Sequence, residues 1–171
     1  MNLTSILAEK KENSLKLKKT LGILLKFKPL GLIILSNEDL THSLIKGLKF
    51  LPAGFVIYVE GIKTEILSKN VVITGSLEGE LLSGFDFIVT DNKFDNIDMY
   101  ISLGITPIVN RDNIFVNGLL EEFNPIQNTG NSFFYEKDNK WDIFYTIVRY
   151  MENYKFPFDN KNLVKNVLNN K

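Results

Sequence analysis

The sequence predicts an α/β protein built on a single Rossmann-like, open, mostly parallel sheet with helices on both faces. Three observations carry this. The runs LGLIILS (30–36), FVIYVE (55–60), NVVIT (70–74) and DFIVTD (86–91) are short and nearly uniformly apolar, as in strands covered on both sides. Segments with helical spacing separate them. The chain has 171 residues, 44% of them hydrophobic, which suits one domain with a substantial core.

The elements follow in order. Residues 13–25 place Leu15, Leu17, Leu21 and Leu24 among lysines and predict a short basic helix on a core edge, stopped by Pro29. LGLIILS is the first strand. Asn37 or Asp39 caps a helix over 39–51, with Leu40, Leu44, Leu48 and Leu51 inward. Pro52 and Gly54 turn the chain into the second strand (55–60), and NVVIT is the third. Residues 76–85 predict a short helix with Ser76 as N-cap, 86–91 a fourth strand, 94–103 a helix and TPIVN (106–110) a fifth strand.

Residues 111–131 are rich in Asn, Gly and Pro and predict a loop, followed by a short strand over 132–136. The strongest helical pattern is 138–153, with Trp141, Phe144, Tyr145, Val148 and Met151 at i, i+3, i+4, i+7 spacing and Asn139 with Asp142 as a capping box. Pro157 sets off a last polar helix, 160–170. The organisation is one domain over 1–171: a basic helical lead-in (1–28), a sheet core (29–156) and a C-terminal helix (157–171).

Composition narrows the function classes. The chain has no cysteine, which removes disulfides, thiolate metal sites and cysteine nucleophiles, and a single histidine, His42, so no histidine metal cluster is expected. Net charge is zero and gives nucleic-acid binding no support. The charge is uneven: residues 1–28 hold seven Lys and two Glu, residues 76–104 one Lys and six acids. Such blocks read first as solvated faces, including the lysines of 10–28. No leader and no membrane-length apolar run is read, so the expectation is a cytoplasmic protein without membrane or nucleic-acid partners, cofactor or metal.

In open α/β sheets ligands bind beyond the carboxyl ends of the strands. Here those ends are SNED (36–39), EGIK (60–63), TDNKFDN (90–96) and NRDN (110–113). FDFIVTDNKFDN, IDMYISLGITPIV and NTGNSFFYEKDNKWDIFYTIVRYMENYKFP, entered through KLKKTLGI and PLGLIIL, resemble in order and content the C-terminal domain of bacterial glycogen and starch synthases. These are two-domain GT-B glycosyltransferases with the pattern ADFFLMPSRFEP, CGLTQLYAMRYGTLPVV and GTGFLF. The resemblance covers nearly the whole chain. It implies half of a GT-B fold, in which this domain binds the nucleotide sugar and an N-terminal domain holds most of the acceptor. The chain is expected to begin where that second domain begins, leaving the cleft to be completed by a separate chain.

The resemblance also implies a degenerate site. The family follows its first strand with G-R-L-x-x-Q-K-G, whose Arg and Lys neutralise the diphosphate. Ser36 stands at the Arg position and Thr41 at the Lys position. The carboxylate of R-F-E-P becomes Asp95, and the next four residues, C-G-L-T, are missing between Asn96 and Ile97. The glycines of the following loop are absent from RDNIFVNGL. The remaining ligand candidates are Asn37, Asp91, Asp95, Asn113 and the loop Thr129, Gly130, Asn131.

Each candidate has a plainer reading. Asp95 with Asp98, or with Asp91, reads first as helix capping and an acidic turn, and second as a carboxylate pair. Thr129–Asn131 reads equally as a ligand loop or as a turn. Phe133, Phe134, Trp141, Phe144 and Tyr145 read as core. The expected function is a glycosyltransferase-like module without independent transfer activity, meeting ADP- or UDP-glucose weakly, or a protein partner. One alternative is a subunit of a split transferase. The other is an unrelated flavodoxin- or receiver-like module, for which SNEDLTHS is a poor phosphate loop and Arg111 stands in place of a receiver's lysine.

Overall fold

Strands and helices follow one another as the apolar runs and helical segments alternate. The computed structural model describes residues 2–114, 116 and 118–169. Its elements are α1 (Leu3–Leu21), β1 (Leu30–Ile34), α2 (Glu38–Leu48), β2 (Gly54–Tyr58), β3 (Glu65–Ile66), β4 (Val71–Thr74), a 3-10 turn (Gly79–Gly84), β5 (Phe87–Thr90), α3 (Ile97–Ser102), β6 (Thr106–Asn110), β7 (Phe133–Tyr135), α4 (Lys140–Tyr154) and α5 (Pro157–Asn169).

The seven strands run in the order β3-β4-β2-β1-β5-β6-β7, all parallel except the edge strand β3. The central strand β1 pairs with β2 on one flank (Leu32 with Val56) and with β5 on the other (Leu32 with Ile88). Right-handed crossovers that leave β1 in opposite directions put their helices on opposite faces. Accordingly α2 packs with α4, and α3 packs with α5 against β6. Leu30, Leu32, Phe55, Val56, Phe87, Ile88 and Ile108 are fully buried, which is why these strands need apolar residues at every position.

The structure corrects several sequence expectations. The lead-in helix starts at Leu3, capped by Asn2 Oδ1 accepting from the Ser5 amide at 2.9 Å, and ends at Gly22, whose φ of 78° suits glycine. It packs on the 3-10 turn through Asn13 and Lys10, so two of its lysines, Lys10 and Lys18, are buried and not solvated. Residues 76–85 form only the 3-10 turn, with no side-chain cap; the Ser76 amide instead donates to Thr74 Oγ1. The predicted 94–103 helix shrinks to Ile97–Ser102, leaving Asp95 ahead of it. Pro157 opens α5 as its first residue, where its missing N–H costs no hydrogen bond.

Helix α4 keeps the predicted period and cap; of the expected inward residues Met151 is buried and Phe144 packs on the core, but the buried stripe is shifted away from Trp141 and Tyr145. Asn139 Oδ1 accepts from the amides of Trp141 and Asp142. The buried positions are Ile143, Thr146, Ile147, Tyr150 and Met151, while Trp141 and Tyr145 stand 69% and 65% exposed.

Candidate functional site

The chain reverses its direction of growth between β1 and β5, which makes the crevice beyond their carboxyl ends the topological switch point where such sheets bind ligands. Parallel pairing of Ile34 with Thr90 brings the residues that follow, Ser36 and Asp91, face to face. The Ser36 amide and hydroxyl both donate to Asp91 Oδ2, at 2.7 and 2.5 Å. Asp91 Oδ1 accepts from the Lys93 amide at 3.0 Å, and Asp91 is buried. A carboxylate therefore occupies the donors at the head of the crevice.

The neighbouring candidates are engaged in local structure. Asn37 caps α2, its Oδ1 accepting from the Leu40 amide at 2.9 Å. Thr41 is buried and its hydroxyl donates to the Asn37 carbonyl at 2.8 Å, within the first turn of the same helix. Asn113 is buried and reaches the Asp91 carbonyl with Nδ2 at 3.5 Å. Asp95 is exposed on the rim, as are Asp98 and, on α2, His42.

Around the carboxyl ends of β5, β6 and β7 lie more acids. Asn110 Nδ2 donates to Asp138 Oδ1 at 2.9 Å, and the Tyr135 hydroxyl donates to the Thr90 carbonyl at 2.9 Å. Burial, then the negative charges of Asp138 and Asp91, push the Tyr135 phenol far up, so it stays protonated. Arg111, which follows β6 on this edge, pairs with Glu136 at 2.6 Å and lies over the Phe134 ring. Among the described residues no group of three or more His, Cys, Asp and Glu could hold a metal ion.

Beside the crevice is a recess of about 460 Å³ lined by Ile34, Tyr58, Gly75, Leu77, Phe94 and Tyr100, among others. Phe94 and Tyr100 lie with ring centroids 5.8 Å apart on its α3 side. A flat apolar ligand group fits such walls. The sequence reading missed these residues; their signal was position alone, since Tyr58 ends β2 and Gly75 follows β4.

The loop Thr129–Asn131 is not brought to this crevice. It enters β7, and because β7 runs parallel to β6 it lies at the amino ends of the strands. Asn131 bonds the Glu121 amide and the Leu119 carbonyl, and Asn166 of α5 donates to the Gly130 carbonyl at 2.9 Å. Gly130 has φ 79°, and an added Cβ would collide with the Glu122 carbonyl oxygen, so glycine is required here by the backbone. The loop lines a separate cavity of about 570 Å³ together with Glu121 and Asn166.

No family model matches the sequence, and no curated protein matches it significantly. Solved structures do match the fold. One is the catalytic domain of starch synthase IV from Arabidopsis thaliana bound to ADP and acarbose, at 16% identity and TM-score 0.75, covering 99% of this chain and 40% of that one. Another is the glycosyltransferase SnogD from Streptomyces nogalater, at 15% identity and TM-score 0.55, covering 88% and 41%. A third is UDP-GlcNAc 2-epimerase from Neisseria meningitidis bound to UDP-GlcNAc, at 16% identity and TM-score 0.54, covering 95% and 46%. The chain thus spans less than half the length of each of these proteins. Among the described residues no helix is long and apolar enough to cross a membrane. The chain has the architecture of one half of a GT-B glycosyltransferase fold, as its seven-stranded, mostly parallel sheet and its likeness to these transferases establish.

Proposed function

We propose that the protein is a glycosyltransferase-like module that lacks independent sugar-transfer activity and meets nucleotide sugars weakly, through the nucleoside and not the diphosphate. The observation that carries this reading is the Asp91 carboxylate, which accepts both the amide and the hydroxyl of Ser36 where a diphosphate would need donors. A carboxylate about 4 Å from a phosphate oxygen repels it by ~4 kcal/mol at an effective dielectric of 20. The family's two cationic positions do not compensate: Ser36 is bound to Asp91 and Thr41 is back-bonded in α2, while Arg111 nearby is held by Glu136. Each missing cationic or amide contact removes roughly 2–4 kcal/mol of transition-state stabilisation.

The recess of Tyr58, Phe94 and Tyr100 supports retention of a nucleoside subsite. Titration calorimetry with ADP-glucose, UDP-glucose and adenosine, together with a transfer assay on glycogen, decides. Comparable weak binding of ADP-glucose and adenosine with no turnover fits the proposal; sustained turnover by the isolated chain ends it.

A further inference from the structure

The same strand pair is clamped by a second aspartate at its other end. Asp86, just before β5, accepts from the Leu30 amide at 2.8 Å and lines a cavity of about 200 Å³ under α1, the space of roughly six or seven waters. Lys10, Lys11, Lys18 and Lys28 line it too, so four lysines and one carboxylate contribute to its wall. We propose that this cavity is a binding site for a phosphoryl anion, separate from the crevice at the carboxyl ends.

The four lysines are not equivalent. Lys10 is satisfied: its Nζ donates to the carbonyls of Ser83 and Phe85 at 3.0 and 2.6 Å, ending the 3-10 turn, and its charge opposes that of Asp86. Lys18 is not. It is 1% exposed, yet its ammonium makes no hydrogen bond or ion pair with any described residue. Burial pushes the Lys18 ammonium down, the charge of Asp86 opposes this, and Lys28 adds to the lowering. Lys11 and Lys28 stand exposed at the rim, adding charge without adding a carboxylate.

The other walls supply polar groups suited to an oxyanion. Tyr154 lines the cavity, and burial together with Asp86 holds its phenol well up, so its hydroxyl remains a donor. Asn160 Oδ1 is buried and finds no partner; with the amide turned over, Nδ2 would face a ligand oxygen. A tetrahedral oxyanion would accept from Lys18, Tyr154 and Asn160 together. This explains why a helix otherwise packed on the core carries lysines on its inner face.

Calorimetry on the whole chain tests the site, with pyrophosphate, orthophosphate and glucose 1-phosphate titrated at fixed ionic strength. Saturable one-to-one binding of at least one of them is expected. Lys18→Met, which keeps the volume and removes the charge, should weaken it at least tenfold. Lys28→Gln and Lys11→Gln, both on the exposed rim, should each weaken it several-fold and serve if Lys18→Met does not fold. Trp141→Ala, at the far end of α4 from Tyr154, should leave it unchanged. Preference for glucose 1-phosphate would identify a phosphate ester as the source; preference for pyrophosphate or orthophosphate would identify a free anion; either supports the site. No saturable binding of any of the three, or binding indifferent to the lysine substitutions, overturns it.

Discussion

Ser36 closes on Asp91 through two short hydrogen bonds to a single carboxylate oxygen, 2.7 Å from the amide and 2.5 Å from the hydroxyl, across 55 positions of sequence. The contact joins the carboxyl ends of β1 and β5 at the head of the crevice, where the proposed reading has a diphosphate seek donors. Its effect on binding is therefore electrostatic first and steric second.

Asp91→Asn keeps an oxygen that can accept from Ser36 and removes the negative charge. Loss of charge assistance in these bonds should lower stability by about 1 kcal/mol. Removal of repulsion should raise ADP affinity at least about fivefold, equivalent to about 1 kcal/mol. Urea denaturation and calorimetry read the two effects separately. An ADP affinity that is unchanged or lower would mean that the carboxylate is not the obstacle.

Stability should rise with pH from about pH 8 to 10. Burial pulls the Lys10 ammonium down from 10.5 to about 8, with Asp86 opposing. Between those values the unfolded chain holds a proton that the folded chain has released, so folding is favoured as pH increases, by at most ~1.4 kcal/mol per pH unit. Lys18 is shifted in the same direction. Tyr135, Tyr150 and Tyr154 are shifted upward from 10.0, so above about pH 10 the folded state retains protons the unfolded state loses, and the slope reverses. Urea midpoints at about pH 7.5, 8.5 and 9.5 measure the slope, and Lys10→Met should flatten it.

Helix α4 gives a sharp packing contrast. Ile147→Ala opens a cavity at a fully buried position and should cost ~2–5 kcal/mol. Trp141→Ala and Tyr145→Ala remove exposed rings and should each stay within ~0.5 kcal/mol. Thermal or urea denaturation of the three variants ranks them. A large loss at Trp141 would reinstate the face that its i, i+3, i+4 neighbours suggest.

That contrast marks how far the residues alone can be read. Strands such as Leu30–Ile34 and Thr106–Asn110 were legible because burial on both faces demands unbroken apolar runs. The period and cap of α4 were legible too, but Trp141-Tyr145 and Ile143-Ile147 form adjacent stripes, and only the packed sheet chooses between them. Lys10 and Lys18 read as solvated because a lysine's burial depends on distant partners, here the carbonyls of Ser83 and Phe85 and the charge of Asp86. That Ser36 and Thr41 stand where the resembled family has cations rests on the resemblance alone. That Asp91 meets Ser36 follows from β1 pairing with β5, a choice of strand order that local sequence does not encode.

The strand pairing also sets what a repair would require. Ser36→Arg alone places a guanidinium beside Asp91, and the two should form an ion pair, which uses the new cation internally. Nucleotide affinity should then change little, while the β1–β5 junction holds or gains stability. Combined with Asp91→Asn, the introduced guanidinium has no carboxylate partner there and can meet a phosphate. The double variant should bind ADP more tightly than the two single effects predict, with a coupling of about 1–3 kcal/mol for residues in direct contact. Calorimetry across the four proteins of this cycle measures the coupling. Strict additivity would show that the introduced cation and the side chain at position 91 do not share a site, and would remove Asp91 from the proposed account of this crevice.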